Sequence, residues 1–257
     1  MKNFIKFLGI AVIVAVIGFS MVACPEPEEE SGPTSYGDKL EFSNEQVYVS
    51  DIEYEGDEKS AKVIYNYKPY TGADVTFDSV CGATPKITGG KFSFSVGVPA
   101  AQYLSSDEWS ALEDIFTDVK VSDATVKSAS ISFEKESSSI YLNRANDVSN
   151  VIATAAGAGE NAPPVYTGSV TTESVLFVYV DKAVTITGKG KTTTETEEGR
   201  TSTYKYNDIN LSLAKGWNTL CSKTELSVSA TSMSYTITQS VSNPSSVKWV
   251  LNDYSND

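Results

Sequence analysis

The chain has 257 residues, of which 40% are hydrophobic, and its formal net charge is −13. This length and apolar content suit one large folded domain or two of ordinary size, and they exclude global disorder. The excess of acidic residues excludes nucleic acid as a partner, because surfaces that bind nucleic acid are positive. The chain contains no histidine, which excludes Ser-His-Asp and Cys-His catalytic groups and the His-containing zinc, copper and iron sites.

The first 23 residues have the pattern of a secretory signal peptide. Lys2 and Lys6 give a basic start, and an uninterrupted apolar run follows over residues 7–19. As a helix this run would be about 20 Å long, short of the roughly 30 Å hydrocarbon core of a bilayer. We therefore predict a cleaved signal peptide, with an uncleaved membrane anchor as the alternative.

The sequence Met21-Val22-Ala23-Cys24 resembles the lipobox of bacterial lipoproteins. Met21 replaces the usual leucine and Val22 a commoner alanine or serine, whereas Ala23 and Cys24 match the motif. The resemblance implies cleavage before Cys24, a diacylglycerol thioether on its sulfur and acylation of its amine. It also implies a place in the bacterial cell envelope, anchored by lipid on the extracytoplasmic side of a membrane, at the outer membrane or cell surface.

Residues 24–38 are predicted to form an acidic tether. Prolines oppose both helix and strand pairing, and the adjacent residues Glu28, Glu29 and Glu30 repel one another and extend the chain. Removal of residues 1–23, which hold two lysines and no acid, changes the net charge from −13 to −15. Lipid on Cys24, and not charge, would therefore hold the protein at a membrane.

Two cysteines remain when Cys24 carries lipid. Cys81 and Cys221 are candidates for one disulfide, which an oxidising compartment would permit. Both lie near the ends of predicted strands. Two separate buried thiols are the alternative.

Residues 39–143 are predicted to form a β-rich domain, because apolar residues alternate with polar ones. Leu40 and Phe42 begin this period of two, and residues 92–98 show it most clearly, between the Gly89-Gly90 turn and Pro99. One short helix is predicted near residues 105–117. Ser105 and Glu108 fit a capping box, and Trp109, Leu112 and Phe116 recur at helical spacing.

The segment 144–168 is rich in alanine, glycine and proline and shows no persistent period. We interpret it as a linker or long loop, because a long structureless segment is unusual inside one compact domain. The fold class expected is therefore all-β, with antiparallel β-sandwiches in two tandem domains.

Residues 169–257 are predicted to be the second, sandwich-like domain. Residues 173–180 are apolar on both faces, which is typical of a central strand. A change of phase between Tyr206 and Ile209 indicates a bulge. The stretches 178–182 and 213–218 loosely resemble ones in uncharacterised bacterial surface lipoproteins, a likeness that implies no activity.

No nucleotide or cofactor site is expected, and no metal site. Residues 188–192 end like a P-loop, but Thr185 stands where the motif needs glycine, and an acidic hairpin follows in place of a helix. Paired carboxylates are the catalytic groups that remain, and nothing in their spacing selects two of the candidates Asp114, Asp118, Asp123, Glu134, Glu136, Asp181 and Asp208. We therefore predict that the chain is not an enzyme.

The preferred hypothesis is a membrane-anchored exported lipoprotein that acts as a non-catalytic binding or envelope-structural module. A carbohydrate-binding or carbohydrate-processing surface protein is one alternative, since tyrosines can stack on sugars. Its candidate residues are Tyr65, Tyr67 and Tyr70, or Tyr204 and Tyr206 with Trp217. An adhesin or assembly subunit, which would accept a strand from another chain, is the other alternative. Sequence does not identify the protein or glycan partner.

Overall fold

The computed structural model describes residues 34–57, 60–106, 112–135, 137, 139–154, 165–197, 200–229 and 231–253. Strands dominate this part of the chain. In order they are β1 Ser35–Gly37, β2 Leu40–Asp57, β3 Ser60–Pro69, β4 Val75–Thr76, β5 Lys86–Thr88, β6 Lys91–Val96, β7 Phe116–Val121, β8 Ser128–Ile131, β9 Phe133–Lys135, β10 Ile140–Thr154, β11 Val165–Val180, β12 Val184–Gly190, β13 Thr192–Glu197, β14 Arg200–Tyr206, β15 Ile209–Leu213, β16 Gly216–Val228, β17 Ser232–Ser240 and β18 Lys248–Asp253.

The all-β prediction is confirmed, and most strands pair antiparallel. The main path of the long sheet runs β13-β14-β17-β16-β11-β10-β18-β2-β6-β5-β4, and a separate sheet has the order β15-β12-β7. Two pairs within the long sheet, β14 with β17 and β18 with β2, are parallel. The layers pack as sandwiches on both sides of β11 and β16.

Strand β11 lies at the centre, as its two apolar faces predict. Phe177 and Tyr179 are buried on one side, whereas Val178 and Val180 are buried on the other. Because side chains alternate along a strand, these two sets belong to different cores. Burial on both faces explains the near-continuous apolar run at residues 175–180.

One side is an aromatic core, in which Trp249 contacts four phenylalanines. Its ring centroid lies 4.5–5.9 Å from those of Phe42, Phe92, Phe133 and Phe177. The other side of β11 is an aliphatic core, in which Ile186 and Leu211 of the three-stranded sheet share one cluster with Leu226 of β16. Phe92, Phe94 and Val96 alternate inward along β6 as predicted.

The predicted helix near 105–117 is shorter at its C-terminal end than expected. A 3₁₀ turn spans Ala101–Tyr103 and one α-helical turn spans Leu112–Ile115, while residues 107–111, including Trp109, lie outside the described part. Leu112 and Phe116 are both buried, but Phe116 begins β7 and pairs with Gly190. The tertiary strand pairing therefore overrides the helical spacing at Phe116.

The prediction of a linker over residues 144–168 is wrong for most of that segment. Residues 144–154 of β10 pair with residues 165–175 of β11 as one long antiparallel hairpin, and residues 155–164 lie outside the described part. Backbone hydrogen bonds hold this ladder, so it needs no periodic apolar side chains. Strands from both predicted halves lie in one sheet and one aromatic core, which favours a single unit over two tandem domains.

The change of phase between Tyr206 and Ile209 marks a crossing between sheets and not a bulge. Strand β14 ends at Tyr206 in the long sheet, and β15 starts at Ile209 in the three-stranded sheet. Each strand presents its own apolar face to the aliphatic core, so the alternation restarts at Ile209.

Candidate functional site

A lysine between two tyrosines lies on the face of the long sheet opposite the aromatic core. The Nζ atom of Lys248 is 5.3 Å from the ring centroid of Tyr48 and 5.0 Å from that of Tyr67. The register aligns Val250 in β18 with Tyr48 in β2, and Ser50 in β2 with Tyr67 in β3. Strands β2, β3 and β18 thus bring Tyr48, Tyr67 and Lys248 together, and we call these three residues the Lys248 cluster.

The Lys248 cluster is partly exposed and carries one cation, the ammonium group of Lys248. Tyr48, Tyr67 and Lys248 are each half-buried, and Lys248 forms no ion pair with a carboxylate of the described residues. The attraction between a cation and the face of a tyrosine ring contributes about 0.5–1 kcal/mol of free energy at partly exposed sites. The cluster could therefore position a lysine toward an anionic or hydroxyl-rich ligand.

The first set of predicted ligand-binding tyrosines is only partly brought together. Tyr67 belongs to the Lys248 cluster, whereas Tyr70 packs against the aromatic core and its hydroxyl donates to the carbonyl of Ala73 at 2.8 Å. The side chain of Tyr65 lies outside the described residues. Sequence reasoning missed Tyr48 and Lys248, although their alternation with Val47 and Trp249 was a signal that they face away from the core.

The second predicted set is not brought together. Tyr204 stacks on Tyr235, with ring centroids 4.8 Å apart, and Tyr206 is buried edge-on against Phe116. Trp217 is fully buried in the aromatic core. Tyr206 and Trp217 therefore lie in different cores and cannot form one platform.

Two of the predicted carboxylates, Asp123 and Asp208, form both an ion pair and backbone hydrogen bonds within the fold. Asp123 accepts hydrogen bonds from the hydroxyl and backbone amide of Thr125 and from Lys182, and these contacts, led by the hydroxyl, lower its pKa to about 2. Asp208 accepts hydrogen bonds from the ammonium group of Lys189 and from the backbone amide of Gly190. The contact with Lys189, more than that with Gly190, lowers the pKa of Asp208, and the same contact raises the pKa of Lys189.

The remaining carboxylates occupy scattered elements. Asp181 accepts the backbone amide of Lys127 at 2.8 Å; Asp114 lies in the helical turn, Asp118 in β7 and Glu134 in β9. Glu136 is outside the described residues. Within the described ranges, no group of three or more acidic, cysteine or histidine residues could hold a metal ion.

Both described cysteines contact the aromatic core, but no disulfide bond connects them. Cys221 is buried in β16 within the aromatic core, while Cys81 packs at its margin with a left-handed φ of 49°. Burial, and then the charge of Glu173, raises the pKa of Cys221 to about 12. The structure contains no Cys81–Cys221 disulfide, so that bond stays a prediction.

The described part of the chain begins at Thr34, beside Trp217. Strand β1 pairs Gly37 with Trp217, and the backbone amide of Thr219 donates to the carbonyl of Thr34 at 3.0 Å. The predicted signal peptide, Cys24 and residues 25–33 of the predicted tether lie outside the described residues. The prediction of a tether over residues 24–38 is wrong for its last residues, because β1 spans Ser35–Gly37 and pairs with β16. No helix in the described part is long and apolar enough to cross a membrane.

Comparisons with protein-family models, with curated proteins and with solved structures found no match to this chain.

Proposed function

We propose that this chain is an exported bacterial lipoprotein, anchored through Cys24 on the extracytoplasmic side of a membrane, and that its β fold is a non-catalytic binding or envelope-structural module. One observation supports the proposal above all: a basic N-terminus is followed by an apolar run over residues 7–19 and then by Met21-Val22-Ala23-Cys24. The part of the predicted acidic tether that precedes β1, residues 24–34, suits a folded body held off a bilayer.

A non-catalytic role is supported by the use that the fold makes of its carboxylates. Asp123 and Asp208 accept hydrogen bonds from lysines, a threonine or backbone amides. Such contacts stabilise the ionised form, whereas a general acid at neutral pH needs a raised pKa. Asp123 and Asp208 in fact have lowered pKa values.

Labelling bacterial cells with radioactive palmitate tests the anchor. We expect label on the wild-type chain and on Cys81→Ala, a matched cysteine control, and none on Cys24→Ala. The mature N-terminus should be Cys24, and the labelled protein should sediment with membranes. An unlabelled chain that still begins at Met1 would contradict the proposal.

Carbohydrate binding is a second candidate function, and the Lys248 cluster favours it. Tyrosine rings and a cation on a sheet face suit the apolar faces and acidic or hydroxyl groups of a sugar. A glycan array is the test, with Tyr48→Ala and Tyr67→Ala as variants and Tyr204→Ala as a control from a different stack. Loss of a glycan signal in the first two variants alone is expected. No signal for the wild type would remove this candidate.

A further inference from the structure

Two large apolar side chains are exposed in the described part of the chain, and both lie on the loop after β6. Val98 is 55% exposed and Tyr103 is 41% exposed. The alternation of residues 92–98 predicts that Val98 continues the inward face, but β6 ends at Val96. The loop of residues 97–104 therefore exposes apolar side chains, whereas the apolar side chains of β6 point into the core.

This loop lies beside the first described residues of the chain. The indole Nε1 of Trp217 donates to the carbonyl of Gly97 at 3.0 Å, and Trp217 is the strand partner of Gly37 in β1. At the start of β2, Leu40 pairs with Val96. Residues 37–40 therefore run beside the loop that carries Val98.

The tether restricts how far this end can move from the anchor. Cys24 and Thr34 are ten residues apart, which is at most about 35 Å when fully extended. Strand β11, with Val180 beside Gly216 at the same end of the sheet, has 16 residues and runs for roughly 50 Å. The loop is thus at the end of the sheet that the tether keeps closest to the lipid.

We propose that, when Cys24 carries lipid, Val98 and Tyr103 contact the interfacial region of the same bilayer and set the orientation of the β fold. This inference rests on the proposed lipid anchor. Tyrosine favours the membrane–water interface, and the tether makes the contact intramolecular, so a small apolar surface is sufficient. Charge does not drive the contact, because the chain without residues 1–23 is strongly acidic.

Quenching of tryptophan fluorescence by brominated lipid in neutral phosphatidylcholine vesicles tests the contact. The probe is Val98→Trp in the lipidated full-length mature protein. Its matched control is Thr194→Trp, because Thr194 is exposed and the register connects it to Ser169, about 35 Å along β11 from Val180, through Thr203, Ser234 and Ser227.

We expect the fluorescence added by Val98→Trp to be quenched at least twofold more than that added by Thr194→Trp, with no increase when anionic lipid is included. Equal quenching of the two probes would overturn the proposal. If cells do not lipidate Cys24, a maleimide lipid coupled to Cys24 in a Cys81→Ser, Cys221→Ser chain supplies the anchor. Failure of the lipoprotein assignment is then distinguishable from failure of the loop contact.

Discussion

At the scale of single residues, position 216 requires glycine, both because of its backbone conformation and because the backbone of Gly37 lies close to it. Its φ is 103°, and a Cβ atom added there would lie 2.2 Å from the carbonyl oxygen of Gly37. A side chain at Gly216 would thus push β1 away from β16. Gly97, in contrast, has open space around its Cα.

We expect Gly216→Ala to lower the free energy of unfolding by roughly 2–4 kcal/mol, because it adds backbone strain to a clash with backbone atoms. Gly97→Ala should change it by less than about 0.5 kcal/mol. Urea unfolding followed by circular dichroism measures both. Equal stabilities of the two variants would show that β1 is not fixed as described.

The buried thiol of Cys221 should cause the free energy of unfolding to decrease at alkaline pH. Burial disfavours the thiolate, so its pKa in the fold is raised from 9.0 to about 12. Between these values the unfolded chain has released a proton that the folded chain keeps, and the free energy of unfolding therefore decreases as pH rises. Tyr235 acts in the same direction above pH 10, because burial raises its pKa to about 12.

Between pH 8 and pH 10, we expect the wild type to lose about 1 kcal/mol more stability than Cys221→Ala, which keeps Tyr235. Denaturant unfolding at the two pH values is the measurement. Thiol counting with Ellman's reagent adds an independent check, since a buried thiol should react only after unfolding. If unfolded but unreduced protein shows no thiol from Cys81 or Cys221, the two form the predicted disulfide.

At the scale of structural elements, the turn between β15 and β16 is held by Asn218. Its buried side chain accepts the amide of Ala214 at 3.0 Å and donates to the carbonyls of Ala214 and Gly216 at 2.8 and 2.9 Å. The stretch 213–218, which the sequence marks only through a loose likeness, therefore has a clear structural role. It positions Trp217 to bind Gly97.

Asn218→Ala should lower the free energy of unfolding by about 1–3 kcal/mol, because the buried carbonyl of Gly216 and the partly buried amide and carbonyl of Ala214 lose their partner. Asn210→Ala is the matched control, since Asn210 is exposed in β15 and its removal should cost little. Thermal unfolding of both variants tests this. A neutral effect of Asn218→Ala would mean that another group holds the turn.

At the scale of the whole molecule, the two halves of the sequence are interleaved. Strand β18 from the C-terminal half lies between β10 and β2, and its Trp249 packs on Phe42 and Phe92. A half without its partner would expose this aromatic core. Neither half then buries enough apolar surface to offset the entropy of folding.

We expect residues 24–154 and residues 165–257, expressed separately, each to lack a cooperative thermal transition and near-ultraviolet circular dichroism. Co-expression should restore both signals, because the missing strands become available again. Cooperative melting of each half alone would instead support the two tandem domains that the sequence predicts.

Features that depend on local pattern could be predicted before the fold was known. The alternation in β6 fixed which side chains face inward, and the apolar run at residues 175–180 identified a strand buried on both faces. Both follow from the two-residue period of a strand, which is a property of neighbouring residues. The prediction of lipidation at Cys24 is equally local, and it depends on sequence alone.

The pairing of strands, in contrast, depends on the folded chain as a whole. It separated Tyr206 from Trp217, placed Lys248 between Tyr48 and Tyr67, and converted residues 144–154 from a predicted linker into a strand. Backbone hydrogen bonds are the same for every residue except proline, so a pattern shows which face of a strand is buried but not its partner. Strands distant in sequence pair only when the whole core is assembled.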